Sequence, residues 1–390
     1  MNDNFLMLAK TLFGFEPLLE RELRELGAAN VKVVNRGVTF EGDLGFMYKA
    51  NLFLRTAIKI LMPIKRFRAR DEEELYHRIK QIRWEKYMEA DGSLAVGATV
   101  FSRTFTHSKF IALKTKDGIV DRFRERSGTR PNVDLRRPSL AINIHIQEQD
   151  VTVSLDTSGE SLHQRGYRTA VNLAPINEVL AAGLVMMTGW DGENDVLDPM
   201  CGSGTMLIEA CMWANRIPAN INRREFGFER WKDYDPDLFE LIRNSALKKM
   251  RDRPIKFIGY DKAPSAVRKA TDNVYNAGLD DFITIEQQDF FKAEGRENVT
   301  IMTNPPYGER LEINIPEFYA RIGDTFKKEY KGCTAWLITG DLSALKHVGL
   351  KTSRKIKVYN GKLESRWAKY EMYSGSKKAS KQVEPSGEDE

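Results

Sequence analysis

Asp198-Pro-Met-Cys-Gly-Ser-Gly-Thr205 and Asn304-Pro-Pro-Tyr307 are the two stretches on which the reading of this chain turns. The first follows the short apolar run Asn-Asp-Val-Leu and opens a helix over Met206–Asn215. The second ends the run Val299-Thr-Ile-Met-Thr303. Around them the chain repeats one pattern. NDVLDPM, KFIGYDK, FITIEQQDF, VTIMTNPP and CTAWLITG are short, apolar and separated by helical stretches. Strands alternating with helices in this way predict βαβ units and a parallel sheet. The pattern closes with KIKVYNGKLESRWAKYEMY, where Asn360–Gly361 is a two-residue hairpin signal.

Gly202 and Gly204 let the backbone turn tightly and approach a ligand at a helix N-terminus. Two phosphate schemes do not fit. The dinucleotide fingerprint wants a third glycine where Leu207 stands, and an acid about 20 residues further on, whereas the next acid ending a strand is Asp261. No Lys-Ser or Lys-Thr follows the glycines, which excludes a P-loop. A carboxylate at Asp198 would repel a diphosphate but suits a ligand that offers an amino group. S-adenosylmethionine (SAM), with its ammonium and sulfonium, is such a ligand. Asp198, Gly202, Ser203, Gly204 and Thr205 are the candidate cofactor residues of this loop. Asp261 is placed to accept both ribose hydroxyls, with the N-cap of a helix over Ala263–Asn276 as its alternative use. Asp289, ending a third strand, is a candidate for the adenine amino group, or a turn residue.

Asn304, Pro305, Pro306 and Tyr307 form the candidate catalytic tetrad. An exocyclic amino group on a base is a weak nucleophile, because its lone pair is delocalised into the ring. Two acceptors aimed at its hydrogens, the Asn304 side-chain oxygen and the Pro305 carbonyl, would localise that pair. Consecutive prolines hold the acceptors in place before reaction. Tyr307 offers a face for stacking, worth ~1–3 kcal/mol in such contacts. A base inside folded RNA would have to leave its stack to reach them. No general base is required, because the sulfonium methyl is already activated. The five histidines show no ligand spacing, and no metal is expected.

Upstream, residues 1–63 read as a small β-α-β-β-α unit, with helices at Glu16–Leu26 and Leu44–Ala57. Residues 64–156 carry helices at Asp71–Gln81 and Ser108–Ser127, a strand at Ser93–Ser102 and a hairpin at Ala141–Leu155. Residues 157–373 hold the parallel-sheet domain. Residues 374–390 are polar and aperiodic, which predicts a disordered tail. The 390 residues carry a net charge of +5, 42% hydrophobic and 29% charged residues. That balance is compatible with a polyanionic partner without demanding one. Three scattered cysteines exclude a zinc ribbon and suit a reducing cytoplasm. No apolar run approaches the roughly 20 residues of a membrane span. Lys109, Lys114, Arg122, Arg126, Arg136 and Arg137 crowd one region and are candidate phosphate contacts, interleaved with acids that would equally suit a solvated face.

DPMCGSGT, an acid-ended strand and then NPPYGERL resemble the class I methyltransferases that modify amino groups. Leu162-His-Gln-Arg165-Gly-Tyr-Arg168 with Ala174-Pro-Ile-Asn177, and the insertion Arg216-Ile-Pro through Phe226-Gly-Phe-Glu-Arg-Trp231, resemble THUMP-containing RNA methyltransferases. Together they resemble the bacterial THUMP-domain 23S rRNA guanine-N2-methyltransferase family in its short form, with a single class I methyltransferase domain.

The resemblance implies an α/β fold. A ferredoxin-like unit and a THUMP domain would grip RNA ahead of a Rossmann-like domain, with a seven-stranded, mostly parallel sheet and a terminal antiparallel hairpin. It implies SAM as cofactor, structured RNA as partner (23S rRNA or an assembling large ribosomal subunit) and a cytoplasmic, membrane-free setting. Arg165 and Arg168 join the expected RNA contacts. The tetrad leaves open tRNA guanine-N2 or adenine-N6 methylation. A catalytically silent RNA-binding assembly factor is a further alternative, against which the intact tetrad argues.

Overall fold

The computed structural model describes residues 4–168, 176–306 and 314–373. Their contacts group the chain into two compact units, Met1–Gly166 with Pro218–Met250, and Tyr167–Ile217 with Arg251–Glu390. The expected tail at 374–390 lies outside the described residues.

The first unit runs β1 (Phe5–Thr11), α1 (Glu16–Leu26), β2 (Ala29–Val34), β3 (Gly37–Gly42), α2 (Leu44–Phe53), β4 (Ala57–Arg68), α3 (Glu72–Gln81), β5 (Ser93–Phe101), α4 (Ser108–Ser127), β6 (Asn132–Val133), β7 (Leu140–Gln147) and β8 (Asp150–Asp156). All eight strands form one sheet, ordered β2-β3-β1-β4-β8-β7-β5-β6. The expected boundary between residues 63 and 64 falls inside β4. This 12-residue strand pairs with β1 on one side and β8 on the other. Pro63 has no N–H to give the ladder, and the register with β8 shifts between Pro63 and Lys65. The bulge lets one strand carry the proline and still join two half-sheets. The helix expected over Leu44–Ala57 ends at Phe53, and Ala57 begins β4. Asp43 caps α2 by accepting from Phe46 N at 2.8 Å, and Gly27 ends α1 in the left-handed region.

The second unit begins with α5 (Glu178–Thr188), β9 (Asp195–Asp198) and α6 (Thr205–Ala214). Asn177 caps α5, its side chain accepting from Val179 N and Leu180 N. The chain then passes through α7 (Pro236–Leu247), β10 (Phe257–Asp261), α8 (Pro264–Ala277), β11 (Ile283–Gln287), β12 (Val299–Thr303), α9 (Ile315–Glu329), β13 (Thr334–Thr339), β14 (Thr352–Asn360) and β15 (Leu363–Glu371). The second sheet is ordered β11-β10-β9-β12-β13-β15-β14. Strands β9 to β13 pair in parallel, and β15 runs antiparallel to both β13 and β14. The terminal hairpin expected at Asn360–Gly361 is present, with Gly361 at φ 63°. Its inner residues, among them Trp367, Ala368 and Tyr370, are buried.

Helix α7 does not stay with its chain neighbours. The segment Pro218–Met250, expected inside the parallel-sheet domain, groups with the first unit. Asn220 N donates to Leu52 O and its amide to Asn51 O, at 3.0 and 2.8 Å. Phe228 stacks on Tyr48 of α2 at 4.4 Å, and Phe239 packs edge-on to both rings. The aromatic residues of the insertion complete the apolar core of the first unit, and this burial is what draws the segment there. No helix among the described residues is long and apolar enough to cross a membrane.

Candidate active site

In the second unit β9 lies between β10 and β12. The chain leaves β9 and returns to neighbours on opposite sides, so a crevice opens beyond the carboxyl ends of these strands. There lies a cavity of about 410 Å³, within the range of small-ligand sites. Asp261, Asp289 and Pro306, the ends of three different strand segments, line it together with Pro199, Met200, Lys262 and Gln288.

Asp198 ends β9 and is 2% exposed. Burial pushes its carboxyl up to about 7. Hydrogen bonds from Thr303 and Met200 N oppose this, and the charge of Asp261 adds to it. Thr303 Oγ1 donates at 2.9 Å and Met200 N at 3.2 Å, both to the same carboxylate oxygen. Among the described residues no cation pairs with Asp198.

The glycine loop that follows takes the backbone it was expected to take. Gly202 and Gly204 have φ of 56° and 76°. A Cβ on Gly202 would meet nothing within 4 Å, and one on Gly204 would touch Ala270 of α8. So neither position is a tight fit, and it is the left-handed backbone at both that favours glycine. Asp261 holds the loop from the next strand, its two oxygens accepting from Gly202 N at 3.1 Å and Ala263 N at 2.9 Å. Asp261 is not the N-cap of α8, which is Ala263; its carboxylate instead fixes the turn ahead of that helix and lines the cavity. Asp289 likewise accepts from Phe291 N at 3.0 Å and lines the cavity. Gly202, Ser203, Gly204 and Thr205 are not among the lining residues of this cavity.

At the end of β12, Pro305 is buried and Pro306 forms part of the cavity wall. The side-chain oxygen of Asn304 is buried without a hydrogen-bond partner among the described residues. Leaving such an acceptor unmet costs roughly 1–3 kcal/mol. Tyr307 lies outside the described residues.

Thr303 and the outer wall of the cavity were not singled out from the sequence. The α9 residues Glu317, Phe318 and Arg321 line that wall, and the Arg321 guanidinium lies 4.1 Å from the Phe291 ring centroid. Thr303 had a signal, being the last β12 residue before the tetrad. The α9 residues had none, because only packing brings that helix over the crevice.

The basic residues divide. Lys109 and Arg136 are exposed. Lys114 pairs with Glu73, Arg126 with Glu85, and Arg137 forms two parallel bonds with Glu225. Two of the expected RNA contacts are corrected to structural roles by burial. Arg122 is 9% exposed, binds both oxygens of Glu85 and holds that carboxyl down at about 2. Arg165 is 1% exposed and donates to Leu162 O, Asn220 Oδ1 and Arg55 O. A guanidinium enclosed in this way cannot reach a phosphate. Arg168 is corrected too. It donates to Thr205 Oγ1 at 2.7 Å and pairs with Glu178, and so faces the glycine loop. No group of three or more His, Cys, Asp or Glu among the described residues could hold a metal ion.

The strand order, the single antiparallel strand and the glycine loop at the crevice define a Rossmann-like class I methyltransferase fold. The family model described as "RMKL-like, methyltransferase domain" matches residues 165–369, the THUMP domain model matches 69–156, and the RlmL ferredoxin-like domain model matches 7–61. The chain belongs to the RMKL-like methyltransferase family. It is 38% identical over 374 residues to "Ribosomal RNA large subunit methyltransferase K/L" of Syntrophotalea carbinolica, covering 92% of this chain but 52% of that protein. The chain thus spans about half the length of the K/L relatives it matches. It is 37% identical to "Putative RNA methyltransferase slr0064" of Synechocystis sp., covering 92% of this chain and 95% of that one. A solved "putative methyltransferase complexed with SAH" (S-adenosylhomocysteine) aligns with TM-score 0.85 and 30% identity, over 96% of this chain and all of that one.

Proposed function

We propose that this protein is a SAM-dependent RNA methyltransferase that places a methyl group on the exocyclic N2 of a guanine in 23S rRNA. The observation that carries this reading is the Asn304 side-chain oxygen, buried without a hydrogen-bond partner among the described residues at the proline-stiffened end of β12. The chemistry of the site fits the cofactor. Asp198 is a buried carboxylate lacking a cation among the described residues, and an ammonium answers it. Gly202 leaves the loop open to a close approach. In this reading Asp198, with Gly202, Ser203, Gly204 and Thr205, holds the methionine end, Asp261 the ribose hydroxyls and Asp289 the adenine amino group.

When bound, SAM supplies an electrophilic methyl on sulfur. The protein orients its partner. Asn304 Oδ1 and the Pro305 carbonyl accept the two hydrogens of the guanine amino group, drawing the nitrogen toward tetrahedral geometry. Pro305 and Pro306 limit backbone movement, so the acceptors need no reorganisation during transfer. Tyr307 gives the extruded base a stacking face. The proton leaves after transfer, and no residue of unusual basicity is required.

The THUMP and ferredoxin-like match, with the exposed Lys109 and Arg136, supports RNA as the partner, and the names of the K/L relatives support large-subunit ribosomal RNA; a cytoplasmic setting is part of the same reading. Incubation of the protein with labelled SAM and rRNA, tRNA or DNA, followed by nucleoside analysis, tests the reading. N2-methylguanosine from 23S rRNA is expected. Label in N6-methyladenosine, or in tRNA alone, replaces this substrate with another, and no transfer to any of them leaves the silent assembly factor.

A further inference from the structure

Arg168 joins three pieces of the second unit through one buried guanidinium. Its Nη2 donates to Thr205 Oγ1 at 2.7 Å and to the Ile176 carbonyl at 3.1 Å, and its Nε lies 3.4 Å from Glu178. The Arg168 and Glu178 side chains are 15% and 4% exposed. Thr205 is the first residue of α6, Glu178 the first of α5, and the two helices pack side by side. The Thr205 hydroxyl lies 3.1 Å from Ser203 Oγ inside the glycine loop.

A loop built on two left-handed glycines has many alternative conformations, so its shape depends on outside anchors. Among the described residues, Asp261 accepts from Gly202 N, Cys201 N donates to Tyr260 O, Asn273 donates to Ser203 O, and Arg168 donates to Thr205. Arg168 is the cationic anchor of these four. A charge-assisted bond in a buried setting is the stiffest of such contacts.

We propose that Arg168 is a positioning residue of the cofactor site: by holding Thr205 against α5 it sets the Gly202–Gly204 backbone on which the methionine end of the cofactor is read. This rests on the SAM reading above and removes Arg168 from the RNA contacts.

The test is calorimetric titration of the full chain with SAH, for the wild type, R168A, R168K, T205V and the double variant R168A/T205V. T205V cuts the bond while leaving the Arg168–Glu178 pair, so it serves if R168A folds poorly. R168A and T205V are each expected to weaken SAH binding roughly tenfold or more, as loss of a charge-assisted hydrogen bond does. The double variant should bind about as weakly as R168A alone, because both changes remove one interaction. R168K should regain most of the affinity. In turnover the R168A loss should fall on the KM for SAM more than on kcat, and the affinity for RNA and its salt dependence should stay at wild-type values. Unchanged SAH affinity in R168A overturns the proposal, as do losses that add in the double variant. Weakened RNA binding with intact SAH binding returns Arg168 to an RNA contact. A wild-type protein that fails to bind SAH overturns the cofactor reading, and this proposal with it.

Discussion

The Thr303 hydroxyl donates to the Asp198 carboxylate at 2.9 Å, tying the end of β12 to the end of β9. Residue 303 is followed directly by Asn304, whose side-chain oxygen meets no partner among the described residues, and Asp198 opens the glycine loop. This hydrogen bond adds a side-chain tie to the β9–β12 pairing that sets the spacing between the two halves of the proposed reaction. T303V removes it without changing the side-chain volume much. SAH binding is expected to weaken several-fold, the equivalent of about 1 kcal/mol, with a larger loss in kcat. Calorimetry and steady-state kinetics measure both. Wild-type values in each would show that the strand ends keep their spacing unaided.

Asn304 should divide binding from chemistry. N304A removes the acceptor, and turnover should fall about a hundredfold or more, the scale of losing one preorganised polar contact to a reacting group. SAH affinity should stay within about threefold, because Asp198, Asp261 and Asp289 are untouched. Parallel loss of both would place Asn304 in the cofactor site instead.

Asp198 makes binding sensitive to pH. Its carboxyl sits near 7 in the unliganded protein, well above its ordinary 3.8. A raised carboxyl favours the neutral form, so the unliganded protein loses stability as pH rises from about 4 toward 7. The charged form is the one that attracts an ammonium. SAH affinity should therefore rise as pH increases toward about 7, by at most about tenfold per unit, and level off above it. D198N should bind weakly with no such slope. A flat wild-type profile between pH 5 and 8 would mean that Asp198 does not meet the ammonium.

The basic residues of the first unit should sort by burial. R122A strands part of Glu85 and should lower stability by about 1–3 kcal/mol in denaturant unfolding. The joint variant K109A/R136A should leave stability alone, weaken RNA binding and reduce its dependence on salt by about two counter-ions. A stable R122A protein with weakened RNA affinity would reverse that assignment.

Much of this was legible beforehand, for physical reasons that differ by element. The βαβ pattern, the Asn360–Gly361 hairpin and the Gly202 and Gly204 turns are local signals, and each sits where periodicity and backbone sterics put it. Strand β4 runs through the expected 63/64 boundary, and only its pairing with β1 and β8 around a bulge shows one continuous strand. The insertion was seen as an insertion, but the aromatic core it completes around Tyr48 lies far away in sequence. Arg165 and Arg168 sit in a stretch whose family resemblance implies an RNA contact. Burial, which composition does not report, turned both inward. Thr303 matters only because β12 and β9 are neighbours, a fact of topology.

The most direct measurement is a crystal structure of the protein with SAH and a guanosine nucleotide bound. The account requires the guanine N2 within hydrogen-bond reach of both Asn304 Oδ1 and the Pro305 carbonyl, with its lone-pair direction toward the cofactor sulfur. Asn304 turned away from that sulfur, or SAH bound elsewhere than against Asp198 and Asp261, would contradict it.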